Sequence, residues 1–289
     1  MEEWSIAQLQ EMMAAGTMDG QTAVNFYLDR IQKIDRDGPN LNSVLAVNPD
    51  AQTIAKQLDA ERQANGPRSP LHGIPILLKD NIETSDPLPT TAGSLALAQN
   101  FARQDSLVAE RLRAAGAIIM GKTILIEWAN LRSTRSSSGW SSAGGQVRNP
   151  YARDRNHCGS SSGSGVAVAA NLCAAAIGTE TDGSIVCPSH VNGIVGLKPT
   201  VGLIGRSGIV PISHSQDTAG PMTRTVHDAA VLLGVLAGWD PRDAATEASK
   251  GHSYSDYTQF LDKNGLQGAR IGVSRNFFGH NPHVDAVID

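Results

Sequence analysis

Aromatic residues are scarce in this 289-residue chain, at 4%. That scarcity argues against the stacking platforms on which single-stranded nucleic acids bind. Basic stretches are missing too. With a net charge of -4 and no stripe of Lys and Arg, nothing is arranged to neutralise a nucleic-acid backbone or an anionic membrane surface. No apolar run approaches the roughly 18 residues that would suggest a membrane span. Cysteine is limited to Cys158, Cys173 and Cys187. An odd number with no Cys-x-x-Cys pair points to neither a disulfide framework nor a zinc site, so all three are expected as small buried hydrophobes. The N-terminal Met1-Glu2-Glu3-Trp4 lacks the basic and apolar regions of a signal peptide. A cytoplasmic location is the default expectation, although a mature periplasmic or secreted form with its signal removed would read the same.

What is present suits a globular enzyme. The hydrophobic fraction of 40% and charged fraction of 18% can fill and cover a core. Ser5 is placed to cap a helix whose apolar residues Ile6, Leu9, Met12 and Met13 recur at helical spacing, ending near Gly16. Further helices are expected from Thr22 through Ile31 and from Ala51 to Arg62. After the break at Gly66-Pro67-Arg68-Ser69-Pro70 the character changes. Ile74 to Leu78 reads as a buried strand, Ser106 to Ala115 as a helix, Ala117 to Met120 as a strand, and the alanine-rich Val166 to Ala176 as a packed helix. This alternation predicts an α/β fold, a mixed central sheet with helices on both faces. No linker divides the chain. One domain is expected over 1–289, with a helical segment over about 1–65 and a core over about 70–240.

Two motif matches fail on physical grounds. Gly116-Ala-Ile-Ile-Met-Gly-Lys-Thr123 spells a P-loop. A P-loop needs a strand before its first glycine and a flexible turn between the glycines. Here a helix precedes Gly116, the intervening residues are strand-like, and Gly116 reads as the helix C-cap. Gly159-Ser-Ser-Ser-Gly163 spells a nucleophile elbow centred on Ser161, with Asp217 and His227 downstream as formal partners. The elbow needs a strand entering it, whereas residues 149–158 are polar and irregular.

The same serine cluster has company. Cys158-Gly-Ser-Ser-Ser-Gly-Ser-Gly165 is followed by Ile177-Gly-Thr-Glu-Thr-Asp-Gly-Ser-Ile-Val-Cys-Pro188 and Gly193-Ile-Val-Gly-Leu-Lys-Pro-Thr200, and preceded by His72-Gly-Ile-Pro-Ile-Leu-Leu-Lys-Asp-Asn81. With Gly121-Lys-Thr123, Glu127-Trp-Ala-Asn130 and Ser215-Gln-Asp-Thr-Ala-Gly-Pro-Met222, this ordered set resembles the amidase signature family over effectively the whole chain. The wording of its two serine segments is similar to that of the bacterial peptide amidases, which release the C-terminal amide of peptides as ammonia.

The resemblance implies a catalytic triad of Ser184 as nucleophile, Ser160 as a relay entered through a cis peptide bond, and Lys79 as base. It also implies an oxyanion hole from the backbone amides of Thr181, Asp182, Gly183 and Ser184, with no metal or cofactor. The residue types make chemical sense. A serine hydroxyl needs a neighbouring base. A lysine can act as one only when neutral, and burial at the end of the apolar run Ile74 to Leu78 favours that form. Strand alternation should turn Asp80 away from it. His72, His157, His190, His214 and His227 lie in separate segments without metal-ligand spacing and are expected to be structural or exposed. Ser161, Ser162 and Ser164 are expected to bond locally, and Asp217 to brace the site.

The expected substrate is a peptide or small-molecule amide, with no nucleic acid or membrane partner. Two other readings stay open within enzymes: a small-amide hydrolase, and a transamidase like the glutamine-using subunit of glutamyl-tRNA amidotransferase. A third is a non-catalytic fragment that acts only with a partner chain, because relatives of this family are longer and the chain reads as C-terminally truncated.

Overall fold

The structure, a computed structural model, describes residues 3–289. In chain order its elements are α1 (Ile6–Ala14), α2 (Gly20–Arg30), β1 (Val44–Val47), α3 (Ala51–Asn65), β2 (Pro75–Lys79), α4 (Leu107–Ala114), β3 (Ile118–Thr123), β4 (Trp140–Ser141), β5 (Gly145–Gln146), α5 (Ser162–Ala169), β6 (Ala175–Glu180), α6 (Val186–Val191), β7 (Val195–Gly196), β8 (Thr218–Thr223), α7 (Val226–Leu236) and α8 (Pro282–Ile288). The chain forms two compact units, one reaching to Thr258 and one spanning Gln259–Asp289. The second unit contains α8, whose first turn is capped by Asn281 through the amides of His283 and Val284.

In the first unit, six strands form a mixed sheet in the order β1-β3-β2-β6-β8-β7. β2 runs parallel to both β3 and β6, whereas β1, β8 and β7 pair antiparallel with their neighbours. Ile76, Leu77, Leu78, Ile118, Ile119 and Ile177 are fully buried. Burial on both faces explains why these strands read as unbroken apolar runs rather than as alternating patterns. Helices flank the sheet, with α3 and α4 against β3, α7 against β8, and α5 in contact with β2, β3, β6 and β8.

Local chemistry accounts for the helix starts. Ser5 and Gln8 form the reciprocal capping box that begins α1. Asp19 caps α2, which begins two residues before the expected start at Thr22. The buried Asp59 carboxylate accepts the amides of Gly20 and Gln21. Gly116 adopts a positive φ of 83° just after α4, and Ile118–Thr123 is a strand. The apparent P-loop is therefore a helix end followed by a sheet strand.

One expected element differs. The alanine-rich stretch Val166 to Ala176 is not a single helix, because α5 ends at Ala169 and Ala175 opens β6. Asn171 takes a positive φ of 56° and turns the chain. Ala175 and Ala176 then lie fully buried between β2 and β8. Tertiary burial, not intrinsic preference, decides their conformation.

Candidate active site

Lys79 is the last residue of β2, and no part of it reaches solvent. Its Nζ lies 2.7 Å from Ser160 Oγ, 2.9 Å from Thr179 Oγ1 and 3.1 Å from the Thr179 carbonyl oxygen. Burial lowers its pKa from 10.5 to about 7, against smaller opposing effects from the Glu180 and Asp217 carboxylates. Such a shift represents about 5 kcal/mol against the charged form. A neutral amine has two N–H donors and one lone pair. The Thr179 oxygens can accept the donors, which leaves the lone pair facing the Ser160 hydroxyl.

Ser160 follows a cis Gly159–Ser160 peptide and immediately precedes the N-cap of α5. Its carbonyl accepts the Ile126 amide at 3.1 Å, tying this turn to the chain leaving β3. Ser184 lies on the loop between β6 and α6, and the two serine segments meet where the Ser161 amide donates to the Ser184 carbonyl at 3.1 Å. Both Ser160 and Ser184 are buried. A disulfide between Cys158 and Cys187 joins the same segments, with the Cα atoms 5.9 Å apart. This corrects the expectation of three free thiols for two of them, and only Cys173 is a free, buried cysteine. The 29-residue separation in sequence gives no local sign that the turn and the loop fold against each other.

The loop after β6 has a carboxylate beneath it. Glu180 is buried and accepts the Gly183 amide at 3.0 Å, the Ile185 amide at 2.6 Å and the Val186 amide at 2.9 Å. The Gly183 N–H is therefore directed inward. The Thr181 hydroxyl donates to Asp217 at 2.5 Å, and the other Asp217 oxygen accepts the amides of Ile212 and Ser213. Thr179 and Glu180 lie within the second serine segment, but nothing in the sequence singles them out. Their importance comes from pairing β6 beside β2, a long-range fact.

The competing elbow does not assemble. Ser161 is buried, with its hydroxyl donating to the Thr179 carbonyl and accepting the Thr179 amide. His227 is exposed at the start of α7 and lines a groove with Ile6, Gln10 and Pro70. Ser162 bonds the Cys158 carbonyl and Ser164 meets Thr123, the local bonding expected for this cluster. His72 is fixed between the Leu58 carbonyl and the Arg68 amide, and His157 lies against the Cys158 carbonyl with burial lowering its pKa. His190 and His214 are exposed. Among the described residues no group of three or more His, Cys, Asp or Glu could hold a metal ion. No helix among them is long and apolar enough to cross a membrane.

Known proteins share this arrangement of sheet and segments. The peptide amidase structure from Stenotrophomonas maltophilia is 53% identical and superposes with a TM-score of 0.94, covering 99% of this chain and 59% of that one. The structure of an amidase family protein from Bacillus anthracis is 40% identical with a TM-score of 0.93, covering 99% and 57%. A glutamyl-tRNA(Gln) amidotransferase subunit from Halorhodospira halophila is 40% identical over 286 residues, 99% of this chain and 56% of its own length. The chain spans about half the length of the curated relatives it matches. The sequence profile of the family described as Amidase matches residues 22–288. With the sequence segments, the sheet and the profile in agreement, the chain belongs to the amidase family.

Proposed function

We propose that this chain is a serine hydrolase of carboxamides that releases ammonia from C-terminally amidated peptides. In this reading Ser184 Oγ attacks the amide carbonyl while its proton passes to Ser160, whose own proton moves to neutral Lys79. The tetrahedral oxyanion is held by the backbone amides of the Thr181 to Ser184 loop, with Thr181, Asp182 and Ser184 as donors and Gly183 turned to Glu180. Collapse breaks the C–N bond. The departing nitrogen takes the relayed proton and leaves as ammonia, and water then hydrolyses the Ser184 acyl ester. Peptide amides are favoured over other amides because of the 53% identity to the Stenotrophomonas maltophilia peptide amidase.

The observation that carries the proposal is the fully buried Lys79 with its amine 2.7 Å from Ser160 Oγ. A lysine so desolvated can accept a proton near neutral pH. The test is ammonia release from an amidated peptide by the parent and Ser184→Ala proteins, with free glutamine as the comparison substrate. Release from the peptide by the parent alone supports the proposal. Release from glutamine alone favours the transamidase-like reading. No release by folded protein overturns both.

A further inference from the structure

We infer that Glu180 is a positioning residue for the hydrolytic centre, holding Ser184 and the amides around it in one fixed frame; the inference rests on Ser184 being the nucleophile. Its two carboxylate oxygens divide three amides between them. One accepts Gly183, the residue before the nucleophile, and the other accepts Ile185 and Val186, the residues after it. Ser184 is thus gripped on both sides by a single side chain. Bonds that backbone amides donate to an ionised acceptor are stronger than neutral ones. Glu180 ends β6 and is only 5% exposed, so its carboxylate is anchored by the sheet. The amides of Asp182 and Ser184 have no acceptor among the described residues, which leaves them free for a developing oxyanion. Glu180 arranges this loop without meeting the substrate.

A second observation gives the residue a signature beyond structure. The Glu180 and Asp217 carboxylates act on the Lys79 amine through space, and both raise its pKa against the burial that lowers it. Neutralising Glu180 should therefore move the Lys79 titration to lower pH. Asp217 remains held by Thr181, Ile212 and Ser213.

The experiment uses an alkyl fluorophosphonate, which needs no knowledge of the substrate. Ser184 Oγ forms a bond to phosphorus, fluoride leaves with the bonding electrons, and the serine proton passes to the base. The rate of phosphonylation at Ser184 is followed by mass spectrometry in the parent, Glu180→Gln and Glu180→Asp proteins from pH 5 to 9. Hydrogen exchange is followed at the amides of residues 183 to 186.

Glu180→Gln is expected to slow labelling about a hundredfold, the effect of misplacing reacting groups by an ångström. It should expose the Gly183, Ile185 and Val186 amides to exchange while the β6 amides stay protected, and shift the labelling midpoint to lower pH. Glu180→Asp, which keeps the charge on a shorter arm, should slow labelling yet keep the parent's midpoint. Equal labelling rates in parent and Glu180→Gln, or unchanged protection at all three amides, overturn the inference. A parent protein that is folded but never labelled at Ser184 instead overturns the nucleophile assignment, and the inference with it.

Discussion

Asp80 follows Lys79 directly in the chain but turns its carboxylate elsewhere, accepting the amide and hydroxyl of Thr91. Burial raises the Asp80 pKa to about 6. Lys122, buried nearby with its amine on Thr90 and Ile82, is lowered by burial to about 8. Two buried amines therefore stand on the adjacent strands β2 and β3, yet only the one at the end of β2 meets a serine hydroxyl. The alternation of side chains along an extended backbone makes that division.

Substitution should separate the triad from the elbow. Ser184→Ala and Lys79→Ala are expected to reduce ammonia release from an amidated peptide by about four orders of magnitude. Ser161→Ala should lower stability by about 1–3 kcal/mol, because it removes a buried partner of Thr179, and His227→Ala should leave release unchanged. Steady-state assays with thermal unfolding of each variant test this. Loss of release in His227→Ala would restore the elbow.

The buried lysine predicts a pH dependence in both rate and stability. Release should rise with pH through about 7 as Lys79 becomes neutral in the folded protein. The unfolded state holds this proton up to its ordinary pKa of 10.5. Lys79 therefore lowers stability progressively as pH falls from 10.5 to 7, with no further change below. Lys79→Met lacks this liability. Its denaturation midpoint relative to the parent should climb as pH is lowered through that window, and a constant difference would show that the lysine is not buried neutral.

The crosslink between the two serine segments closes a loop of 29 residues. Loop-closure entropy assigns it about 3–4 kcal/mol, or a fall of roughly 6 °C in Tm on reduction. Both half-buried sulfurs should become alkylatable in native protein once reduced, while fully buried Cys173, its pKa pushed up to about 12, stays unmodified. Thiol counting beside calorimetry checks both statements.

Gly163 allows α5 to approach the end of β3. A Cβ there would lie 2.2 Å from the Ser43 carbonyl oxygen and 2.6 Å from the Ile124 backbone nitrogen and oxygen. Gly163→Ala should therefore cost about 3 kcal/mol through overpacking, read as a lower urea midpoint with an unchanged slope. Ser160 lies just ahead of this contact, so release should fall as well.

Much of this molecule is legible from its residues because local chemistry and burial agree. Ser5 begins α1 as its capping pattern implies, and Ile76 to Leu78 form the buried strand that their apolar run predicts. The alanines after Asn171 mislead, since composition alone cannot say that two strands will enclose them. The Cys158–Cys187 pair and the grip of Glu180 are hidden for a related reason. The disulfide depends on how a turn and a loop 29 residues apart meet in space, and the grip on how the loop after β6 folds back over Glu180; spacing along the chain records neither. Lys79 is easier to place, because the apolar run before it announces the burial on which its proposed role depends.

The direction of the strands has a consequence for where such chemistry can arise. After β2 the chain crosses to β3 on one side, and after β6 it continues to β7 and β8 on the other, though β2 and β6 are parallel neighbours. Connections that part in this way leave a crevice beyond the carboxyl ends of the two strands. Lys79 ends the first of these strands, and Thr179 and Glu180 end the second. The opening is thus a product of strand order, present before any particular side chain is chosen. Altering the residues on its rim would change what reacts there, while the order of the strands would keep the place itself.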